Sequence, residues 1–290
     1  MRAIAILIVV ASHFGLGNII PGNFGVTIFF CISGFIITRL LLVEAAESDA
    51  ILIGAFYARR FIRLLPALIF MITATSAGYW LLKHRIEASE IFAAFFYYKN
   101  YHTIFGGSQA MPFGPLWSLA VEEHYYLIFP AVVFSLCRSP RAMMIALCMT
   151  TAAALIWRFI LCYGLNASES YTHLATDTRL DSILYGVILA TVMHYYPTET
   201  KRLDSIPIAI VCCLALILTF AIRSETFRET WRYSIQGLAL VPLIYIATFG
   251  RSTLFARKIL AAPILVWIGL IELSRILGDR ADQAAWLSVG

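Results

Sequence analysis

Long apolar runs recur down the chain, separated by short polar breaks, and no single soluble core could absorb them all. Residues 24–43 carry one charged side chain, Arg39, and residues 206–222 carry none. A helix needs ~20 mainly apolar residues to cross a ~30 Å hydrocarbon layer. The bulk composition agrees: 60% hydrophobic and 13% charged residues, against about 25% charged in soluble domains. Mean hydropathy is +0.80. The sequence therefore predicts an all-α, polytopic integral membrane helical bundle of about nine to ten apolar segments. These form one transmembrane domain over residues 1–290.

The expected spans are 3–17, 24–43, 64–82 with Pro66 in its first turn, 116–136, 142–163, 180–196, 206–222, 233–249 and 259–277. The opening run resembles a signal peptide, but no small-residue cleavage site follows it, so it reads as the first spanning helix. Residues 90–105 make a short stretch ending in Tyr97, Tyr98, Lys99 and Asn100, and read as a short or re-entrant helix. Arg59, Arg60 and Arg63 place their loop, and with it the N-terminus, in the cytoplasm. The formal charge of +5 is scattered between apolar runs. That distribution suits topology and contact with membrane lipids, not nucleic acid. The six cysteines form no CxxC pair and read as small buried hydrophobes. No histidine spacing suits a metal.

Within this apolar background the ionisable residues stand out. Arg2 and His13 are eleven positions apart, close to three whole helical turns, and so share a face. His13 would lie ~16 Å along the helix, near the membrane midplane, where an ionisable group by default suggests function. A structural hydrogen bond to a neighbouring helix fits as well. Arg60 and Arg63 share a helix face and suit a phosphate or diphosphate, or equally anionic headgroups. Glu122 and Glu123 sit in an apolar run and need partners, for which His13 or an arginine would serve. Asp177, Arg179 and Asp181 open another run. Asp177 and Asp181 share a face, and Asp177 could instead cap the helix. Ser118 is a hydroxyl outside any GxSxG setting, and Trp117 precedes it.

Five stretches in order resemble the membrane-bound acyltransferase-3 family. They are Arg2 and His13 with ten residues between them; residues 25–42 (GVTIFFCISGFIITRLLL); residues 57–66 (YARRFIRLLP); residues 115–130 (PLWSLAVEEHYYLIFP); and residues 176–186 (TDTRLDSILYG). Residues 262–269 resemble the approach to the family's last helix. From about residue 270 the chain departs from the expected Ser-Tyr-Ser-Leu-Tyr-Leu-Trp-His pattern, as a divergent or truncated C-terminus would.

The resemblance implies an enzyme of the inner membrane of a bacterium. It would move an acyl group, expected to be acetyl, from cytoplasmic acyl-CoA to a hydroxyl of an extracytoplasmic glycan or lipid-linked saccharide. Acyl-CoA would be a co-substrate, with no permanently bound cofactor and no metal. His13 would act as general base or acyl carrier, and Glu122 would orient it. Arg60 and Arg63 would hold the donor's phosphates and Arg2 its pantetheine arm. Ser118 and Trp117 would lie near the oxyanion, with Glu123, Asp177, Arg179 and Asp181 as further candidates. The same residues leave two alternatives open. One is a proton-coupled transporter or lipid-handling protein using His13 and Glu122 as a relay. The other is a truncated, inactive relative.

Overall fold

The computed structural model describes residues 1–12, 14, 21–48, 52–108 and 112–250. The helices in chain order are α1 (Arg2–Ala11), α2 (Gly22–Ser48), α3 (Ile53–Leu81), α4 (Ala88–Phe95), α5 (Lys99–Ile104), α6 (Trp117–Leu136), α7 (Pro140–Phe159), α8 (Glu169–Leu174), α9 (Thr176–Tyr195), α10 (Pro197–Thr200), α11 (Ile206–Ala221), α12 (Glu225–Glu229) and α13 (Trp231–Phe249). No strand occurs among the described residues.

Four of these stretches are long and apolar enough to cross a membrane: Gly22–Glu47, Ile53–Leu81, Gly114–Leu136 and Pro140–Gly164. A fifth results if Pro197–Leu203 and Ile206–Ala221, bent by 66°, count as one span. The expected nine to ten segments are therefore not reached among the described residues. The reasons are local. α1 has 10 residues, α9 carries Asp177, Arg179 and Asp181 in its opening turns, and α13 carries Arg232 and Gln236. The candidate at 259–277 lies outside the described residues.

The third span also begins earlier than expected. α3 starts at Ile53, so its three arginines are helical and Pro66 lies inside the helix, not in its first turn. Pro66 cannot donate to the preceding turn, a defect that a helix interior tolerates at some cost.

The core is built on α2 and α9, which cross with their backbones in contact. A Cβ on Gly34 would stand 2.3 Å from the Ile183 carbonyl oxygen, and one on Gly186 1.8 Å from that of Cys31. Small residues permit this approach, which replaces hydrophobic drive as the source of helix adhesion in lipid. Phe30, Leu41, Val121, Met143, Ile183 and Val187 fill the space between α2, α6, α7 and α9. Apolar side chains such as Leu127 and Ile128 on α6, or Leu214 and Leu218 on α11, face outward.

Contact pairs fix the helix directions. Thr27 meets Arg179 and Cys31 meets Gly186, so α2 and α9 run parallel. Phe30 meets Trp117 and Ser33 meets Tyr126, so α6 runs with them. Asp181 meets Ser234 and Tyr185 meets Gly237, which adds α13. Against this direction run α3 (Arg60 to Glu123, Tyr57 to Leu127), α7 (Trp157 to Asp177, with Cys137 just before the helix to Tyr195) and α11 (Thr219 to Gln236, Ile222 just after the helix to Arg232). α1 also runs against α2, with Ser12 beside Gly22 and Arg2 reaching Ser33.

Residues 90–105 form no single helix. α4 and α5 are separated at Tyr97, whose φ of 55° is left-handed. At ~1.5 Å per residue neither is long enough to cross. Lys99 and Glu90 pair across the break, and both hold Ser108 through its backbone. Asn100 then ties α5 to Leu174 and Thr176 at the head of α9.

Candidate active site

Three helices, α1, α3 and α6, place charged side chains in one buried cluster, and α2 adds Ser33. Arg2, in the first turn of α1, is 7% exposed and donates from Nη2 to Ser33 Oγ at 3.0 Å. Its guanidinium lies 5.5 Å from the ring centre of Phe29. Glu122, 4% exposed, accepts from Tyr126 Oη at 2.8 Å. The two are four apart on α6 and so share a face. Neighbouring Glu123 points towards α3, where it forms a bidentate ion pair with Arg60, Nε to Oε2 at 3.0 Å and Nη2 to Oε1. The Arg60 guanidinium also lies 3.4 Å from the centre of the Tyr126 ring. Ser33 is within hydrogen-bonding reach of the Tyr126 hydroxyl.

Tyr126 is thus the node of the cluster, with Arg60 on its face and Glu122 and Ser33 at its hydroxyl. The expected partner of Glu122 was a histidine or an arginine; its described partner is this phenol. Arg63, one turn beyond Arg60, lies close enough to act on Glu123 electrostatically. His13 lies outside the described residues. Ser12, just before it, stands against Gly22.

The second group lies at the heads of α9 and α13. Arg158 and Asp181 are both 0% exposed and form a bidentate pair at 3.1 and 2.6 Å. Ser234 bridges them, donating to Asp181 at 2.7 Å. Arg158 also reaches the Thr178 carbonyl at 3.0 Å. Arg179 points elsewhere, to Thr27 Oγ1 at 3.2 Å and over the Tyr233 ring at 3.6 Å.

Asp177 accepts from Trp157 Nε1 at 2.7 Å and Tyr171 Oη at 3.1 Å. It does not cap α9, since the N-cap is Ala175. Asp177 and Asp181 do share a face, for their partners Trp157 and Arg158 are consecutive on α7. Trp117 is buried against Phe30 and His173, and Ser118 bonds the Pro115 carbonyl at 3.2 Å.

Outside the spans, burial pushes the His173 imidazole down to about 3, with nearby Arg179 adding to the effect. The ring is therefore neutral and bonded through Nδ1 to Tyr233 Oη at 2.9 Å. Tyr171 is pushed up to about 12, first by burial and then by Asp177.

Sequence reasoning missed Tyr126, Ser33, Arg158 and His173. Two signals were available. Tyr126 lies four residues after Glu122, and Arg158 is a charge inside an apolar run, the same criterion that singled out Glu122.

A helical membrane bundle with two buried ion-pair clusters on its parallel core helices is the class that fold and site define. The chain belongs to the acyltransferase family whose model, described as an acyltransferase domain, matches residues 1–273. A Staphylococcus aureus protein carrying an O-acetyltransferase name is 32% identical over 286 residues, 93% of this chain and 47% of that protein. The peptidoglycan O-acetyltransferase OatA of Listeria monocytogenes is 30% identical over 289 residues, 93% of this chain and 46% of its own length. The O-acetyltransferase OatA of Staphylococcus aureus is 31% identical over 286 residues, 92% and 47%. The chain spans about half the length of the curated relatives it matches. No solved structure gives a significant match.

Proposed function

We propose that the protein is a membrane O-acyltransferase, moving an acetyl group from cytoplasmic acetyl-CoA to a hydroxyl of an extracytoplasmic glycan or lipid-linked saccharide. The observation that carries this reading is the Tyr126 node, where cations from α1 and α3 and a buried carboxylate from α6 converge. Along α2, Ser33 and Gly22, which faces Ser12, share a face about 16 Å apart at 1.5 Å per residue, and Thr27 lies between them in height but about 120° round the helix. A donor bound at the basic rim would follow that line.

Arg60 and Arg63 hold the donor's phosphates. The Glu123 carboxylate takes Nε and Nη2 of Arg60 and leaves Nη1 clear for a phosphate oxygen. Arg2 steadies the pantetheine arm. His13 takes the proton of the acceptor hydroxyl, whose oxygen attacks the thioester carbonyl. The carbon–sulfur bond breaks and the departing thiolate takes the proton. Glu122, held by Tyr126, contributes its negative charge at the Arg2 end of that line, about 16 Å along α2 from the Gly22 level where Ser12 stands, and so is not the direct partner of the imidazole that the resemblance implies.

The N-terminus is cytoplasmic in this reading. The alternation of α1, α2, α3, α6, α7, α9, α11 and α13 supports eight crossings, with residues 83–108 returning on the outer side. The name of the Listeria monocytogenes relative carries peptidoglycan, which makes that glycan the first acceptor to test.

The test is thiol release from acetyl-CoA by the purified chain in proteoliposomes, with mass spectrometry of surface glycans in cells with and without the gene. Turnover that disappears in His13→Ala, together with an acetyl increment that depends on the gene, supports the reading. Gradient-driven flux with no thioester cleavage replaces it with a transporter.

A further inference from the structure

The strongest unexplained feature is Arg179. It is fully buried, and among the described residues only its Nη2 has a partner, Thr27. Its Nε and Nη1 have none. Asp181, two residues on, acts on Arg179 electrostatically but bonds neither atom, since its oxygens go to Arg158 and Ser234. A buried guanidinium with two donor atoms left unfilled is costly unless something is gained by it. A preorganised cation facing a developing negative charge in a dry site is one such gain.

Aromatic rings surround the guanidinium. Tyr233 and Phe30 stand 3.6 and 5.8 Å from the guanidinium carbon. His173 joins the hydroxyl of Tyr233 and lies 4.9 Å from Trp117, which meets Phe30 edge-on at 6.2 Å. These side chains are uncharged, and another nearby charge, Arg158 at 5.6 Å from the centre of the Tyr233 ring, is paired with Asp181. The height also fits. Thr27 lies on α2 between Ser33, which receives Arg2, and Gly22, which faces Ser12 at the end of α1. A thioester carried up from Arg2 towards the C-terminal end of α1 passes this level.

We infer that Arg179 binds the acyl carbonyl oxygen of the donor thioester and stabilises the oxyanion formed on it. This rests on the acyltransferase reading above and adds a catalytic residue to it. As the acceptor oxygen bonds to the carbonyl carbon, the carbonyl π pair moves onto oxygen, where Nε and Nη1 of Arg179 receive it. Collapse restores the double bond, breaks the carbon–sulfur bond and sends coenzyme A off as thiolate. The thiolate takes the proton that left the acceptor hydroxyl.

The experiment reads the carbonyl directly. Infrared difference spectra of the wild-type chain with carbonyl-¹³C acetyl-CoA should show the bound stretch at lower frequency than the free one. In Arg179→Gln that shift should vanish, with thiol release falling about 10²–10³-fold and acetyl-CoA affinity unchanged within about threefold. Thr27→Val keeps the guanidinium but frees its anchor, and should weaken the shift and slow turnover less. This variant and the wild-type spectrum decide the matter if Arg179→Gln does not fold. Acetyl-CoA retained by the wild type with an unshifted carbonyl overturns the role of Arg179 and leaves the acyltransferase reading standing. So does turnover in Arg179→Gln within about threefold of wild type. Wild-type protein that neither retains acetyl-CoA nor releases its thiol overturns both.

Discussion

Tyr126 holds more of the candidate site together than any other side chain. Its hydroxyl is the described donor to Glu122, and its ring faces Arg60. Tyr126→Phe keeps the ring and removes the donor, leaving a buried carboxylate short of one bond. That should cost about 1–3 kcal/mol, read as a lowered thermal midpoint in detergent, with thiol release also reduced. The second cluster yields an ordering. Asp181→Asn strands two buried guanidiniums, Arg158 and Arg179, whereas Arg158→Met leaves Asp181 free to pair with Arg179. Asp181→Asn should therefore destabilise more, by about 3–5 kcal/mol. Equal losses in the two variants would mean that Arg179 does not feel Asp181.

His173 gives a pH dependence. Its folded value of about 3 lies below the unfolded value of about 6.5, so the unfolded chain binds the extra proton between them. Its contribution is complete above about pH 6.5 and is lost as pH falls towards 3, with a slope of at most about 1.4 kcal/mol per pH unit. Thermal midpoints of wild type and His173→Gln between pH 7 and 4 should converge as the pH drops. The charged members of both clusters were legible in the sequence, because a charge in an apolar run is conspicuous, although sequence reasoning passed over Arg158. Tyr126 was harder to see: its spacing from Glu122 pointed to it, but a tyrosine in a membrane protein reads first as part of the interfacial belt.

At the level of elements, the close crossing of α2 and α9 sets the geometry, and it rests on two glycines. Any Cβ at Gly186 must push the helices apart, since the obstacle is a backbone carbonyl and not a movable side chain. Gly186→Ala should destabilise by about 1–3 kcal/mol. Gly78, in α3, has nothing within 4 Å of its virtual Cβ. Gly78→Ala should instead stabilise by about 0.5–1 kcal/mol, through helix propensity alone. Thermal midpoints moving in opposite directions for these two substitutions would confirm that close approach, and not glycine itself, matters at 186. Helix existence was legible from apolar runs, but the boundaries of α3 were not. Its first eleven residues, 53–63, include the arginine cluster and look like a loop by polarity. Their basic side chains lie along one end of a continuous helix instead. Which helices touch was equally hidden, because a glycine's neighbour across a bundle leaves no local trace in the chain.

For the whole molecule, the parallel course of α2, α6, α9 and α13 has a consequence for topology. Two parallel helices require an odd number of crossings between them. Among the described residues α3 and the short pair α4–α5 stand between α2 and α6, so with this core set across a membrane the expectation is that α3 crosses and the pair does not. The breaks near His84, Asn166 and Ser224 then lie on one side of the membrane, and those near Ser139 and Thr198 on the other. All five positions are exposed. With the native cysteines replaced, single cysteines at His84, Asn166 and Ser224 should react with a membrane-impermeant maleimide in intact cells. Cysteines at Ser139 and Thr198 should react only after permeabilisation. If His84 and Asn166 label from opposite sides, the α4–α5 segment spans the membrane and the parallel core is wrong. If all five report the reverse orientation, the core survives but Arg60 and Arg63 face outward, away from any cytoplasmic thioester. Orientation therefore decides between donor binding and mere anchoring for these arginines more directly than their own substitution would, since either role would suffer from losing the charge.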